Sequence, residues 1–176
     1  MFWRGNNPYA TGSSWIDANH TVLEALPAEE MRDLEKQPDE LSQARWFKTR
    51  AFTFVREEPE RFIRLTAKKF LYFWWFSPQT GVHYPRGWFQ IYLAYYLFAL
   101  VSAAAGVWRV VGGSGEGNRI AQVFLIAAFL FALSALQSFY YVEGRHRWAV
   151  EPMILALSGG GVAALTGRQR AALLIS

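Results

Sequence analysis

Residues 88–109 read WFQIYLAYYLFALVSAAAGVWR, and residues 120–142 read IAQVFLIAAFLFALSALQSFYYV. The first stretch has no charged residue before its final arginine, and the second has none at all. An α-helix rises about 1.5 Å per residue, so about 20 apolar residues cross the hydrocarbon core of a bilayer. Both stretches are long enough, and neither leaves a polar face for water. They predict two transmembrane helices rather than two buried helices of a soluble domain.

Residues 148–167 predict a third span. This segment carries Glu151 and four consecutive small residues, Ser158 to Gly161. Small residues let transmembrane helices approach closely, and Gly159 and Gly160 each have an alanine four positions further on. We therefore interpret the segment as a closely packed span, with a re-entrant or surface helix as the alternative. Two arginines would anchor its far end, Arg168 and Arg170.

The charged residues lie mostly in the first half of the chain. Residues 1–87 hold 12 Lys/Arg and 11 Asp/Glu, whereas residues 88–176 hold 6 and 3. The net charge of +4 comes from basic residues mixed with acids, without a nucleic-acid-binding motif, so we expect no nucleic-acid partner. The chain has no cysteine, and His20 and His83 have no partners at ligand spacing. The sequence therefore predicts no metal site and no cofactor.

Residues 1–60 predict an extramembrane region of loops and helices. A short helix is expected from Pro27 to Lys36, and Asp39 is placed to cap a second helix that runs to about Glu58. Pro59 then opens a third helix. The first residues lack the basic and apolar regions of a signal peptide. We therefore expect either that the true start lies upstream or that this head is cytoplasmic.

The third helix, with its linker to residue 87, is predicted to lie on the membrane surface. Its basic residues fall largely on one face, and its C-terminal end, residues 70–76, is uncharged and aromatic. Such a helix is typical of an interfacial anchor, with a soluble helix packed on the head as the alternative. The residues expected at the interface are Arg61, Arg64, Lys68, Lys69, Trp74 and Trp75.

The segment between the second and third stretches carries the candidate chemistry. It holds Arg145, His146, Arg147 and Glu151 beside apolar runs, where charged groups are often functional. Arginine binds phosphate through bidentate hydrogen bonds and stays charged. A lipid phosphate is therefore a candidate ligand. The alternative is that the arginines anchor the loop by pairing with Glu143 or Glu151.

Three stretches resemble bacterial GT-C membrane glycosyltransferases of family 39, the relatives of protein mannosyltransferase and lipid A aminoarabinose transferase. Residues 145–152, RHRWAVEP, resemble the Arg-Tyr-Arg-x-Pro-x-Glu-Pro segment that opens a late transmembrane helix in that family. His146 stands in place of its tyrosine and Ala149 in place of its first proline. Residues 2–12 resemble an extracytoplasmic segment of such proteins, and residues 58–70 resemble the Asn-Pro-x-Arg-Phe helix that leads back to the membrane.

The resemblance implies the C-terminal portion of an enzyme that transfers a sugar from a polyprenyl-phosphate carrier to an acceptor hydroxyl. Arg145, Arg147 and Glu151 match the motif, and with His146 they would hold the lipid phosphate or shape the lipid pocket. The family's catalytic carboxylate lies in an earlier loop, so it would belong to an upstream half of the same enzyme and is not assigned here.

The resemblance also implies a multi-pass protein of the bacterial inner membrane and cell envelope, with residues 1–87 outside the cytoplasm. The distribution of arginines between the loops does not by itself favour this orientation. Membrane lipid and the lipid-linked sugar donor would be its partners. The competing hypothesis is a non-enzymatic membrane scaffold or accessory subunit. In either case we predict an all-α membrane protein with a helical head (1–60), an interfacial helix and linker (61–87) and two to three transmembrane helices (88–176).

Overall fold

Regular structure in the described part of the chain is helical. The computed structural model describes residues 2–17, 19–79, 85–112 and 117–165. Within them lie an isolated β-bridge between Trp15 and Thr21 and a 3₁₀ turn at Gly144–Ala149. The α-helices are α1 (Phe2–Gly5), α2 (Ala28–Glu35), α3 (Glu40–Glu57), α4 (Pro59–Trp74), α5 (Arg86–Gly112), α6 (Gly117–Ser138) and α7 (Glu151–Leu165).

The chain divides into two compact units. The first comprises Met1–His83 and Ala132–Arg147, and the second comprises Tyr84–Phe131 and Trp148–Ser176. The first unit therefore contains the head together with about the last two turns of α6 and most of the 3₁₀ turn.

The first unit is built on an apolar core beneath α3. In this unit α1 packs on α3, and α3 packs on α4. The buried side chains come from α1, the turn before α2, α2 and α3, which ties the irregular N-terminal segment to the helices. They are Trp3, Val22, Leu26, Leu34 and Ala51.

Local signals set the helix starts in the head, as the sequence predicts. The carboxylate of Asp39 accepts a hydrogen bond from the backbone N–H of Ser42 at 2.7 Å and so caps α3. Such a cap contributes about 1 kcal/mol. Pro59 occupies the first turn of α4, where its missing N–H costs no hydrogen bond.

The two apolar stretches form the long helices α5 and α6, which have the length and composition of membrane spans. α5 extends beyond the predicted range at both ends, whereas α6 stops at Ser138 instead of Val142. The last turn of α6 tightens, since the amides of Phe139 and Tyr140 bond to carbonyls three residues earlier. The carbonyls of these two residues accept hydrogen bonds from side chains of the first unit instead of from helix amides. The sequence placed the end of this helix four residues too late.

The third predicted span is shorter than the other two within the described residues. α7 covers Glu151–Leu165, and a 3₁₀ turn replaces helix over residues 148–149. At about 1.5 Å per residue, its fifteen residues reach about 22 Å, less than a hydrocarbon core of about 30 Å. The predicted last two residues of this span, and the anchoring arginines Arg168 and Arg170, lie outside the described residues.

Small residues bring α5 and α7 into contact through their backbones. A Cβ atom on Gly161 would lie 1.8 Å from the carbonyl oxygen of Ser102, and one on Gly106 would lie 2.4 Å from that of Leu157. The hydroxyl of Ser158 donates to the carbonyl of Ala99 at 2.6 Å across the same interface. The close approach expected of this segment is therefore present between these two helices.

The glycines that make this contact are not those that the spacing suggested. Gly159 and Gly160 are exposed, and a Cβ atom on either would meet nothing within 4 Å. Gly161 makes the contact because its position on the helix, with Ser158, faces α5. Within a run of three glycines, each neighbouring position turns to a different side of the helix.

We expect the change Gly161→Ala to lower the free energy of unfolding by about 1–3 kcal/mol, because the added methyl group forces the two backbones apart. Gly160→Ala is the matched control, since its methyl group enters open space and alanine favours helix. Thermal unfolding of the purified protein in detergent measures both. Equal stability of the two variants would contradict the backbone contact.

Candidate functional site

Arg145 is the exposed arginine of the motif. It lies on the 3₁₀ turn with its side chain 62% exposed, and its guanidinium pairs with the carboxylate of Glu143 at 2.8 Å. Glu143 is largely shielded and also accepts a short hydrogen bond from the hydroxyl of Ser14. This is the pairing that the loop-anchoring alternative predicts. An anion that approached Arg145 would compete with Glu143 for its N–H groups.

His146 takes part in the same turn as a neutral ring. Its Nδ1 atom accepts hydrogen bonds from the backbone N–H of Glu143 and from the side-chain amide of Gln137, both at 3.1 Å. An acceptor Nδ1 places the proton on Nε2. Burial lowers the pKa of His146, while the nearby Glu143 carboxylate opposes this effect. His146 therefore shapes the turn rather than supplying positive charge at neutral pH.

Arg147 differs from Arg145 in its exposure to solvent. Its side chain is buried, at 4% exposure, and its guanidinium carbon lies 4.1 Å from the centre of the Phe76 ring. A cation over an aromatic face is stabilised by the ring's negative quadrupole. The motif thus presents one arginine to solvent and holds the other inside the first unit. The two arginines therefore lie in different environments.

Glu151 belongs to the second unit. It stands in the first turn of α7, where a carboxylate is favoured by the helix dipole, and it accepts a hydrogen bond from the hydroxyl of Tyr92 on α5. Tyr92 stacks on Tyr96, which is buried. Glu151 therefore links the start of α7 to α5.

Lys69 lies at the centre of the polar contacts in the first unit. It is completely buried, and its ammonium group donates to the Gly5 carbonyl at 3.2 Å, to Oδ1 of Asn6 at 2.8 Å and to the Tyr140 carbonyl at 2.9 Å. Its three donors thus have three oxygen acceptors. The sequence grouped Lys69 with the interfacial cations, but its side chain points into the protein and is not available to lipid headgroups.

The N-terminal segment completes this junction. The side-chain amide of Asn6 donates to the Phe139 carbonyl at 2.7 Å, and the Val142 amide donates to the Gly12 carbonyl at 3.0 Å. Gly5 lies so close to this segment that a Cβ atom would sit 1.7 Å from the Tyr140 carbonyl oxygen. We name this set of contacts around Lys69 the Lys69 junction.

The sequence did not identify Asn6 and Ser14 as partners in the Lys69 junction and the adjoining turn. The run Gly5-Asn6-Asn7-Pro8 is typical of a turn, and nothing local indicates that both asparagines are fully buried. The Phe139 carbonyl that accepts from Asn6 and the Glu143 carboxylate that accepts from Ser14 lie more than a hundred residues away, beyond the reach of any periodic pattern.

Of the other residues predicted for the membrane interface, some contact the rest of the protein and some are exposed. Arg61 donates to Glu58 at 3.1 Å and to the carbonyl of Pro8, so it ties α4 to the N-terminal segment. Arg64 is exposed, and the Lys68 ammonium lies 5.3 Å from the Tyr72 ring centre. At the end of α4, Trp74 is half-buried and Trp75 is 42% exposed.

Comparison of this chain with protein-family models, with curated proteins and with solved structures finds no match to any of them. Among the described residues, no group of three His, Asp or Glu side chains is placed to hold a metal ion.

Burial lowers the pKa of Lys69 from 10.5 to about 7, so its protonation couples to folding. Between pH 7 and pH 10.5 Lys69 is protonated in the unfolded chain but not in the folded protein. The free energy of unfolding therefore rises with pH, by up to about 1.4 kcal/mol per pH unit. We expect the Tm of the protein, relative to Lys69→Met, to be higher at pH 9 than at pH 7. Thermal unfolding at both values measures this difference. A difference between the two proteins that stays constant with pH would show that Lys69 does not titrate in this way.

Proposed function

We propose that this chain is an integral membrane protein in which α5 and α6 cross the bilayer and α7 forms the third span. Their exposure supports this. Only 28% of the most apolar stretch of α5 and 11% of that of α6 is buried, whereas the core helix of a soluble protein is mostly buried. Large apolar side chains such as Phe98 and Leu125 are 62% and 72% exposed. Lipid is the environment that suits such helices, and a multi-pass protein of the bacterial inner membrane is the arrangement we propose.

Helix α4 in this proposal lies on the membrane surface with its apolar outer stripe towards lipid. The stripe repeats every four residues, at Ile63, Ala67 and Leu71, and Trp75 follows at the same spacing. Ile63 and Leu71 are 66% and 65% exposed. Arg64 adjoins the stripe, where it can reach phosphate groups while its stem contacts apolar surface. The inserted face is thus apolar, with basic residues beside it rather than on it.

The absence of cysteine allows a direct test of this orientation, because a single introduced cysteine carries the only spin label. We expect nitroxides at Leu71→Cys and Ile63→Cys, in liposomes, to be more accessible to oxygen than to a water-soluble nickel chelate. A label at Glu35→Cys, exposed on α2, is the control and should show the reverse. Equal preference for the nickel chelate at all three positions would place α4 in water and favour the soluble-helix alternative.

We further propose that the chain is the C-terminal part of a membrane glycosyltransferase that uses a polyprenyl-phosphate-linked sugar. The observation that carries this proposal is that the first two stretches of resemblance bond to each other in the first unit, and that Ser14, just after the first stretch, is linked through Glu143 to the start of the third. Lys69, in the second stretch, bonds to Gly5 and Asn6 in the first, and Glu143, which bonds Ser14, pairs with Arg145 at the start of the third. Segments with a shared site are expected to converge in this way.

In the proposed reaction an acceptor hydroxyl attacks the anomeric carbon of the sugar, and the lipid phosphate leaves. The exposed guanidinium of Arg145 would hold this phosphate, and the phosphate would displace the Glu143 carboxylate from Arg145 as it binds. Arg147 would stabilise the turn from within, and the catalytic carboxylate would come from the upstream half of the same enzyme. Residues 1–87 would then lie outside the cytoplasm, where polyprenyl-phosphate sugars are used by this class of enzyme.

One observation favours the alternative of a non-enzymatic scaffold or accessory subunit. The charged groups of the motif already have protein partners, Arg145 with Glu143 and Glu151 with Tyr92. A set of paired charges is also what a purely structural loop requires. The two functions differ in whether Glu143 and a phosphate compete for Arg145.

This competition predicts opposite effects for two neighbouring variants. We expect Arg145→Ala to weaken binding of polyprenyl phosphate about tenfold or more, because a charge-assisted hydrogen bond contributes about 1.5–3 kcal/mol. Glu143→Gln should strengthen binding, because it removes the competing carboxylate. Binding to the protein in nanodiscs is measured by native mass spectrometry, with the uncharged polyprenol as the reference ligand.

Arg56→Ala is the control for this test, because it removes an exposed arginine from α3. If polyprenyl phosphate and polyprenol bind equally well, or if both motif variants match this control, the phosphate site is wrong. A preserved phosphate preference would next be followed by transfer assays with labelled polyprenyl-phosphate sugars, in membranes that contain the complete enzyme.

A further inference from the structure

A cleft of about 620 Å³ runs along α3 in the first unit, and no role has been assigned to it above. One face of α3 lines it at a helical spacing of three and four residues, through Ser42, Arg45, Trp46, Thr49, Thr53 and Glu57. From Ser42 to Glu57 this face is about 22 Å long. The volume lies within the range of about 300–1,000 Å³ of small-molecule sites, and the elongated shape suits a chain-like ligand.

The charge of the cleft excludes a strongly ionic ligand. Its lining contains two arginines and three glutamates, so no single sign of charge dominates. Arg50 is already paired with Glu30 at 3.3 Å and covers one face of the Trp46 ring at 4.4 Å. A polyanion would meet the carboxylates, and a polycation would meet the guanidinium groups.

The cleft contains both hydrogen-bond donors and acceptors. Guanidinium groups only donate and carboxylates only accept, while the hydroxyls of Ser42, Thr49 and Thr53 do both. Burial raises the pKa of Tyr9, with a further contribution from Glu30, which keeps its phenol as an O–H donor. A ligand that carries many hydroxyl groups can satisfy donors and acceptors in turn along such a surface.

Aromatic side chains supply the apolar part of the same cleft. Trp3 and Phe54 are 3% exposed and form its floor, and the half-buried Tyr9 and Trp46 stand at its sides. The negative face of an aromatic ring attracts the weakly positive C–H groups of a sugar ring. An ordinary solvated helix face presents polar side chains without such a floor.

We propose that this cleft binds an uncharged oligosaccharide, with the sugar rings against the half-buried rings of Tyr9 and Trp46 and the hydroxyl groups along the polar face of α3. This site is independent of the phosphate site at Arg145. A transferase would use it to hold a glycan acceptor, and a non-enzymatic membrane protein would use it to bind a glycan of the cell envelope.

The test titrates the protein in nanodiscs with maltotetraose, cellotetraose, chitotetraose and mannotetraose by isothermal titration calorimetry. Nanodiscs avoid maltoside detergents, whose headgroups are themselves sugars. We expect at least one tetrasaccharide to bind, and Thr49→Trp to weaken that binding about tenfold or more, because an indole at this exposed position fills the cleft. Lys48→Trp is the matched control, since its neighbouring position is also exposed but does not line the cleft.

A second variant, Trp46→Ala, removes an aromatic side chain from the side of the cleft without filling the cleft, and it should also weaken binding of the tetrasaccharide. Circular dichroism verifies that all three variants keep the helical content of the parent protein. The proposal is overturned if none of the four tetrasaccharides binds at millimolar concentration. It is equally overturned if Thr49→Trp binds as well as Lys48→Trp, or if an uncharged Ser/Thr/Gln decapeptide binds more tightly than every tetrasaccharide. None of these results affects the binding of polyprenyl phosphate at Arg145.

Discussion

The first unit depends on the amino group of Lys69, which has no access to water. Lys69 reaches three oxygen atoms from two parts of the chain that are far apart in sequence, the Gly5-Asn6 turn and the Tyr140 carbonyl. A buried ammonium that lost any of these partners would carry a large desolvation cost. Folding of the N-terminal segment and the stopping point of α6 are therefore coupled. The 3₁₀ turn with Arg145 begins only a few residues after Tyr140, so the bond from Lys69 to Tyr140 also helps to fix the position of this turn.

The sequence predicted those features whose causes lie within a few residues. The Asp39 cap and the Pro59 helix start depend on neighbours less than one turn away, and the apolar lengths of α5 and α6 follow from composition alone. Lys69 differs, because its helix position adjoins Lys68 and only distant partners decide that it points inwards. No local pattern distinguishes a lysine that faces lipid from one that faces three carbonyl oxygens.

The two arginines of the motif show a second limit of prediction from the sequence. Arg145 and Arg147 are two residues apart, and residues at that separation on a helical turn do not share a face. One therefore pairs with Glu143 at the surface while the other packs on Phe76 inside. The sequence correctly singled out these residues as a charged segment beside apolar helices, but their division into one exposed and one buried group follows from the turn's geometry. The aromatic cleft escaped notice for a similar reason, since Trp3 and Tyr9 reach α3 only through the folded N-terminal segment.

The contact between α5 and α7 has a consequence for how the protein is made. The notch at Ser102 and Gly106 is shaped to receive the backbone of α7 at Gly161, yet α6 is synthesised between the two helices. During translation α5 therefore emerges with its notch unfilled, and it stays so until the ribosome has also completed α6. Closure of this notch therefore waits for α7. A chain that ended before α7 would keep this notch open and would leave the backbone at Ser102 and Gly106 without its packing partner.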